Sequence, residues 1–346
     1  MIQKHKIVIL ISLLISFFLF TTTVLAAGEF VFSGWGGVSE KNQIKEMAKP
    51  FEQASGIKAI FTSYPDFAKV KAMVETKNVE WDVVDFEEKM LYRAVKEGLL
   101  EPMDYSLIDT KNIIPEAMNP YGIANSFWGG VLAYSKAKFP GDKAPRSWAD
   151  FWDVKKFPGE RALFKRPFGT LEIALMADGV AKNRLYPLDV DRAFKSLDKI
   201  KPYISVWWEK GAQPPQLLTD KEVDMCYAYS GRIVVIKKEG VPVDFVWNDA
   251  LLNLEFWVIP KGAKNKKEAM KYIAFVNNSP QIEANFAMQL PYGPTNKKAW
   301  KLIDPKFLGD IAGNPELSDK MVIVNGKWWA ENEEKVLERW NEWILD

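Results

Sequence analysis

The chain has 346 residues, with 46 Lys and Arg against 45 Asp and Glu, one histidine and one cysteine. A charge balance this even argues against nucleic acid or an anionic membrane surface as partner. The lone Cys226 permits no internal disulfide, and His5 stands in an N-terminal leader, so the body of the chain lacks the means for Ser-His-Asp or Cys-His catalysis and for the usual zinc sites.

The leader starts with Lys4 and Lys6, continues through a largely apolar core from Ile7 to Phe20, and ends in TTTVLA, with Val24 and Ala26 as the small residues before a cut. This predicts a secretory signal peptide over 1–26. The apolar core is too short to span a bilayer. No cysteine follows the cut, so the exported protein is expected not to be a lipoprotein. Losing Lys4 and Lys6 leaves 44 basic against 45 acidic residues, and the remaining chain is long enough for two lobes.

FVFSGWGG reads as a buried strand from Glu29 that ends in a glycine turn carrying Trp35. Ile44, Met47, Ala48 and Phe51 share one helical face, IKAIF at 57–61 is a strand, and Phe67, Val70 and Val74 mark a second helix. WDVVDF at 81–86 is a third strand, and the helix from Glu88 to Glu97 stops at Gly98. Strands alternating with helices predict a parallel, doubly wound sheet whose ligands bind at the carboxyl ends of strands, where Trp35 and the turn from Asp85 through Glu87 to Glu88 fall.

FWGGVLAYS at 127–135 suits a strand crossing between lobes. SWAD at Ser147 to Asp150 is a capping box, RALFK at 161–165 a strand, and Glu172 sits in the first turn of a helix at 170–179, where the helix dipole favours an acid. A further helix ends before Pro202. The stretch from Ser205 to Arg232 then reads as one wall of a ligand site: strands ending at Trp208 and Tyr229, a turn at Pro214 and Pro215, a short helical piece from Gln216 to Leu218, and Arg232 at a strand-to-helix junction. Unpaired N–H groups at such a junction, beside an arginine, favour a carboxylate or phosphate; a neighbouring Asp or Glu is the plainer partner for Arg232. Val243 to Trp247 and Asn253 to Pro260 read as two strands, followed by a helix from Lys266 to Asn277, the segment LPYGPTN, and a terminal helix through Val336, Leu337, Trp340 and Ile344.

The motifs SGWGG (33–37), WDVV with EGLLEPMD (81–84 and 97–104), SWADFWD (147–153), EVDMCYAYSGR (222–232), LEFWVIPKGAKNKKEAMKYIAFV (254–276) and YGPTN (292–296) follow one another as in the periplasmic solute-binding proteins of ABC importers. In this order they resemble the branch that includes spermidine and putrescine receptors. The resemblance implies an α/β type II binding-protein fold of two lobes, each a mainly parallel sheet flanked by helices, with the ligand cleft between them. The expected division is lobe 1 over 27–130 and 258–302, and lobe 2 over 131–257 and 303–346.

By the same resemblance, Trp35, Tyr229 and Tyr292 are the aromatics of the ligand site and Glu255 is the acid that holds an ammonium. Two departures stand out: Arg232 replaces a small residue, and Asn253 replaces an aromatic two residues before the acid. A cation at 232 disfavours a second ligand ammonium and welcomes a carboxylate. The pair Arg232 and Glu255 therefore suits a zwitterion with separated ends, such as 4-aminobutyrate, in preference to putrescine or spermidine. The candidate contacts are Trp35, Glu87, Glu172, Trp208, Tyr229, Arg232, Glu255 and Tyr292. No cofactor is expected; the implied partners are a small amine or amino acid and the permease subunits of an inner-membrane transporter, with the protein itself a periplasmic monomer and not an enzyme.

Other readings on the same residues are a glycosidase using two of Glu87, Glu88, Glu172, Glu209 and Glu255, a ferric-iron site on Tyr227 and Tyr229, and a thiamine or carbohydrate receptor on the same fold.

Overall fold

A computed structural model describes residues 28–345; the expected signal peptide lies outside them. Strands β1 (Glu29–Gly34), β2 (Lys58–Ser63) and β3 (Val83–Glu87) form a parallel set. Local chemistry sets the helices between them. Asp66 caps the helix Phe67–Glu75 by accepting from the Lys69 N–H, and Gly56, at φ 74°, ends the helix Lys49–Ser55 in the left-handed conformation that a side chain would oppose. Between Gly37–Gln43 and Lys49–Ser55 the helix widens into a π turn over Ile44–Ala48.

The short β4 (Met118–Asn119) turns into the long β5 (Gly122–Ser135). A second parallel set follows, in which β6 (Arg161–Phe164) pairs with both β7 (Ile204–Trp208) and β8 (Met225–Tyr229). Strand β9 (Val243–Val258), the two-residue β10 (Gly293–Pro294) and β11 (Met321–Ile323) complete the sheet, in the order β2-β1-β3-β9-β5-β8-β6-β7. Strands β5 and β9 run antiparallel to each other and, respectively, to β8 and β3, so these two long strands stitch the two parallel sets together.

Two apolar cores result, one for each lobe of the α/β binding-protein fold. The first gathers Phe30, Phe32, Phe86, Trp257 and Tyr272; the second gathers Trp148, Leu163, Trp208, Trp329 and Trp340. Along β9, Trp247, Ala250, Leu252, Leu254, Phe256 and Val258 bury in the first core, and Val243 and Leu251 in the second. Ile303 and Ile311 form a small third cluster with Ala284, Ala287 and Ala299 beside the helix Pro280–Gln289. A third crossing follows through β11, which pairs with β9 at Ala250 to Leu252. An apolar run does not say which core will cover it.

Two local expectations change. The strands expected at 243–247 and 253–260 are one continuous strand; Asp249, at φ 59°, absorbs the irregularity in its pairing with β5. Pro214 and Pro215 do not form a turn before a helix but open the helix Gln213–Thr219, whose first turn needs no N–H from them.

Candidate functional site

The strand ends converge on Glu255. In the β3·β9 pairing Glu87 faces Glu255, and Ser126 of β5 faces it from the other side. Asp85, two residues before Glu87, shares that face of β3. Three carboxylates are thus gathered on one patch of sheet, with Asp85 2% and Glu255 8% exposed. Trp35 reaches in from the turn after β1 and donates its indole N–H to Glu255 Oε2 at 3.0 Å. That turn passes through Gly36 and Gly37 at φ 70° and 62°, so the two glycines are what allow the chain to bend sharply enough to bring Trp35 over the sheet.

Beneath the acids, the Asp85 carboxylate accepts from Gln43 Nε2 at 3.1 Å and from Asn125 Nδ2 at 3.4 Å. Asn125 Nδ2 also donates to the Glu255 carbonyl at 3.3 Å, tying the two acids to one framework. Burial pushes the Asp85 carboxyl up to about 7, with the Gln43 and Asn125 hydrogen bonds opposing. Burial also raises Glu255 well above the usual carboxylate range, the charges of Asp85 and Glu87 add to the rise, and the indoles of Trp35 and Trp128 pull against it. Glu87 is held 3.6 Å from Lys89, which also pairs with Glu333 at 2.5 Å.

Lobe 2 supplies the opposite side. Tyr229, paired in register with Gly130, meets Trp128 edge to face at 4.9 Å and is backed by Trp208 at 5.5 Å. Arg232 lies in the first turn of the helix Ser230–Lys238 and is exposed. A Cβ on Gly211 would come within 2.6 Å of the Tyr229 ring and 3.2 Å of Arg232 Nε, so the missing side chain at 211 is what lets these two lie side by side. Gly231 plays the same part for Tyr292, whose ring would be 2.8 Å from a Cβ there. Burial pushes the Tyr292 phenol up to about 12, and the Arg232 charge opposes the rise. The Tyr229 phenol is raised by burial and then by Glu87, Tyr292 and Glu255, with Arg232 again opposing. Among the described residues Arg232 forms no ion pair or hydrogen bond, so the plainer expectation of a neighbouring Asp or Glu is not met.

Of the expected contacts, Trp35, Glu87, Tyr229, Arg232, Glu255 and Tyr292 are brought together. Trp208 and Glu172 are not. Trp208 is fully buried and stacks on Phe164 at 4.3 Å, so it supports Tyr229 from behind. Glu172 is also fully buried, accepting from Tyr186 Oη and Trp329 Nε1, each at 2.6 Å. Both are closed off by the packing of lobe 2.

The sequence reading placed Asp85 at a ligand-binding strand end but not among the contacts, and Gln43, Asn125 and Trp128 escaped it. The signal for Asp85 was an acid inside the apolar run WDVVDF; for Gln43, a polar residue at the end of the helix Gly37–Gln43, there was none. Tyr227 and Tyr229 do share a strand face, but their rings pack edge to face at 6.4 Å and burial raises both phenols, which opposes the phenolates that ferric iron requires. A larger cavity of about 560 Å³ lies on lobe 2, lined by Lys138, Phe139, Arg146 and Lys156 among others. Its cations face acids of their own, Arg146 with Asp142 and Lys156 with Asp150, each at 3.7 Å, so its volume alone does not make it the site.

An acid at the root of an aromatic-lined meeting of two α/β lobes defines the class of the protein. Residues 46–310 match the family described as bacterial extracellular solute-binding protein, and the chain belongs to that family. It is 40% identical over 316 residues to the gamma-aminobutyric acid-binding protein of Pseudomonas aeruginosa, covering 89% of each chain. It is also similar to the crystal structure of an ABC transporter substrate-binding protein from Bradyrhizobium japonicum, with 40% identity, a TM-score of 0.88, and 92% of this chain and 99% of that one covered. A solved structure of a GABA receptor is 37% identical, with a TM-score of 0.85 and coverage of 91% of this chain and 97% of that one.

Proposed function

We propose that this protein is the exported, periplasmic binding component of an ABC importer and that it captures 4-aminobutyrate or a similar ω-amino acid between its lobes. Glu255 takes the ammonium, with Trp35, Tyr229 and Tyr292 around the methylenes, and Arg232 takes the carboxylate. The observation that carries this reading is the pairing of a buried acid in lobe 1 with an unpaired guanidinium in lobe 2, which matches a zwitterion in sign at both ends. The relationship to a gamma-aminobutyric acid-binding protein supports the same choice. On this reading the protein acts as a monomer, catalyses no reaction, and delivers its ligand to membrane permease subunits.

The test is titration calorimetry of the mature protein with 4-aminobutyrate, putrescine and spermidine. Binding of 4-aminobutyrate that Arg232→Ala weakens by about 2–5 kcal/mol supports the reading. Binding of the polyamines alone, or equal loss of both ligand types in Arg232→Ala, overturns it.

A further inference from the structure

Asn253 lies on β9 two residues from Glu255, and by strand alternation it presents its side chain to the same face. It is 5% exposed, and its amide Nδ2 is buried without a hydrogen-bond partner. Across the β5·β9 pairing it faces Trp128, whose indole is directed at Glu255. Asn253 also lines a small cavity with Glu87, Lys89 and Phe168, which of the site residues only Glu87 borders. Buried donors in folded proteins find acceptors, and one left open at the edge of a site points to an oxygen that arrives with the ligand.

We propose that Asn253 sets the ligand selectivity of this site by donating its amide N–H to the carboxylate of an ω-amino acid whose ammonium rests on Glu255. The proposal depends on the reading of the site given above. Two residues along a strand span about 6.8 Å. An extended four-carbon ω-amino acid separates its nitrogen from its carboxylate oxygens by about 6 Å, given carbon–carbon bonds of roughly 1.5 Å. The carboxylate of such a ligand therefore falls beside Asn253, whereas that of glycine falls short. A diamine brings no acceptor and leaves the buried N–H unpaired. Arg232 supplies charge to the carboxylate, and Asn253 supplies direction from the opposite lobe.

The experiment is calorimetry with 4-aminobutyrate and putrescine on the wild type, Asn253→Leu and Asn253→Asp, with thermal unfolding of each. Asn253→Leu removes the donor and is expected to weaken 4-aminobutyrate about tenfold. Asn253→Asp keeps the shape, sets a negative charge beside the carboxylate, and is expected to weaken 4-aminobutyrate at least about tenfold further while strengthening putrescine. If Asn253→Asp weakens 4-aminobutyrate no more than Asn253→Leu, or neither changes it, the proposal fails even though the wild type binds through Arg232. If the wild type binds no ω-amino acid, the reading of the site and this proposal fall together. Should Asn253→Leu unfold, the isosteric Asn253→Asp decides by itself against the wild type: opposite shifts for 4-aminobutyrate and putrescine support the proposal, and an unchanged or equal response to the two ligands overturns it.

Discussion

Glu172 and Glu255 are both buried carboxylates that accept an indole N–H, from Trp329 at 2.6 Å and from Trp35 at 3.0 Å. Burial is the leading cause that raises both above the usual carboxylate range. They differ in what else surrounds them. Glu172 has Tyr186 as a second donor and is sealed by lobe 2; Glu255 has two more acids, Asp85 and Glu87, on its patch of sheet. Glu172 takes both its side-chain donors on one oxygen and has no acid among the groups that raise it. On the reading proposed above, Glu255 is left with like charges around it, a strain that an arriving ammonium relieves.

The contrast predicts opposite responses to mutation. Glu172→Ala orphans the Tyr186 hydroxyl and the Trp329 indole and should cost about 3–5 kcal/mol of stability in urea unfolding. Loss of ligand affinity at unchanged stability would break the distinction. Glu255→Gln should do the reverse, leaving stability unchanged or raised while calorimetry shows amine ligands weakened by about 2–4 kcal/mol.

Acidity gives a third test. An ammonium needs Glu255 ionised, so binding at a pH below its raised pKa must expel a proton. Affinity should fall by up to about tenfold per pH unit on that side, and Glu255→Gln should flatten the profile while Glu172→Gln leaves it in place. For the unliganded fold the sign is opposite. A carboxyl raised from 4.5 takes up a proton in the folded state that the unfolded chain has already lost, so its contribution to stability is present at low pH and declines as pH rises through the raised value. Smallest of all, Trp35→Phe keeps an aromatic face and removes only the indole N–H, and should change affinity by about 1 kcal/mol; a loss as large as that of Glu255→Gln would mean that Trp35 is what orients the acid.

Much of this was legible before any coordinates. The glycine turn under Trp35, the strand–helix alternation, the helix ending at Gly98 and the Ser147 cap are short-range features that appear where their spacing places them, although Asp150 reaches back to the Arg146 N–H rather than closing the box on Ser147. Trp35, Glu87, Tyr229 and Tyr292 stood out in the sequence because each sits at a strand end or in a loop between elements, whereas Glu255 lies within β9 and Arg232 in the first turn of a helix. Glu172 and Trp208 were misplaced because an acid in a first helical turn, or a tryptophan at a strand end, looks the same in sequence whether the next layer of packing covers it or not.

By itself the sequence determined the periods, caps and turns, and with them the α/β alternation and the charge chemistry of the strand ends, because these depend on residues a few positions apart. Tertiary structure decided which core each apolar run enters, that β9 is one strand joining both lobes, and that Glu87, Asp85 and Glu255 share one patch. Glu87 and Glu255 stand far apart along the chain, and only strand pairing, a property of the closed fold, makes them neighbours.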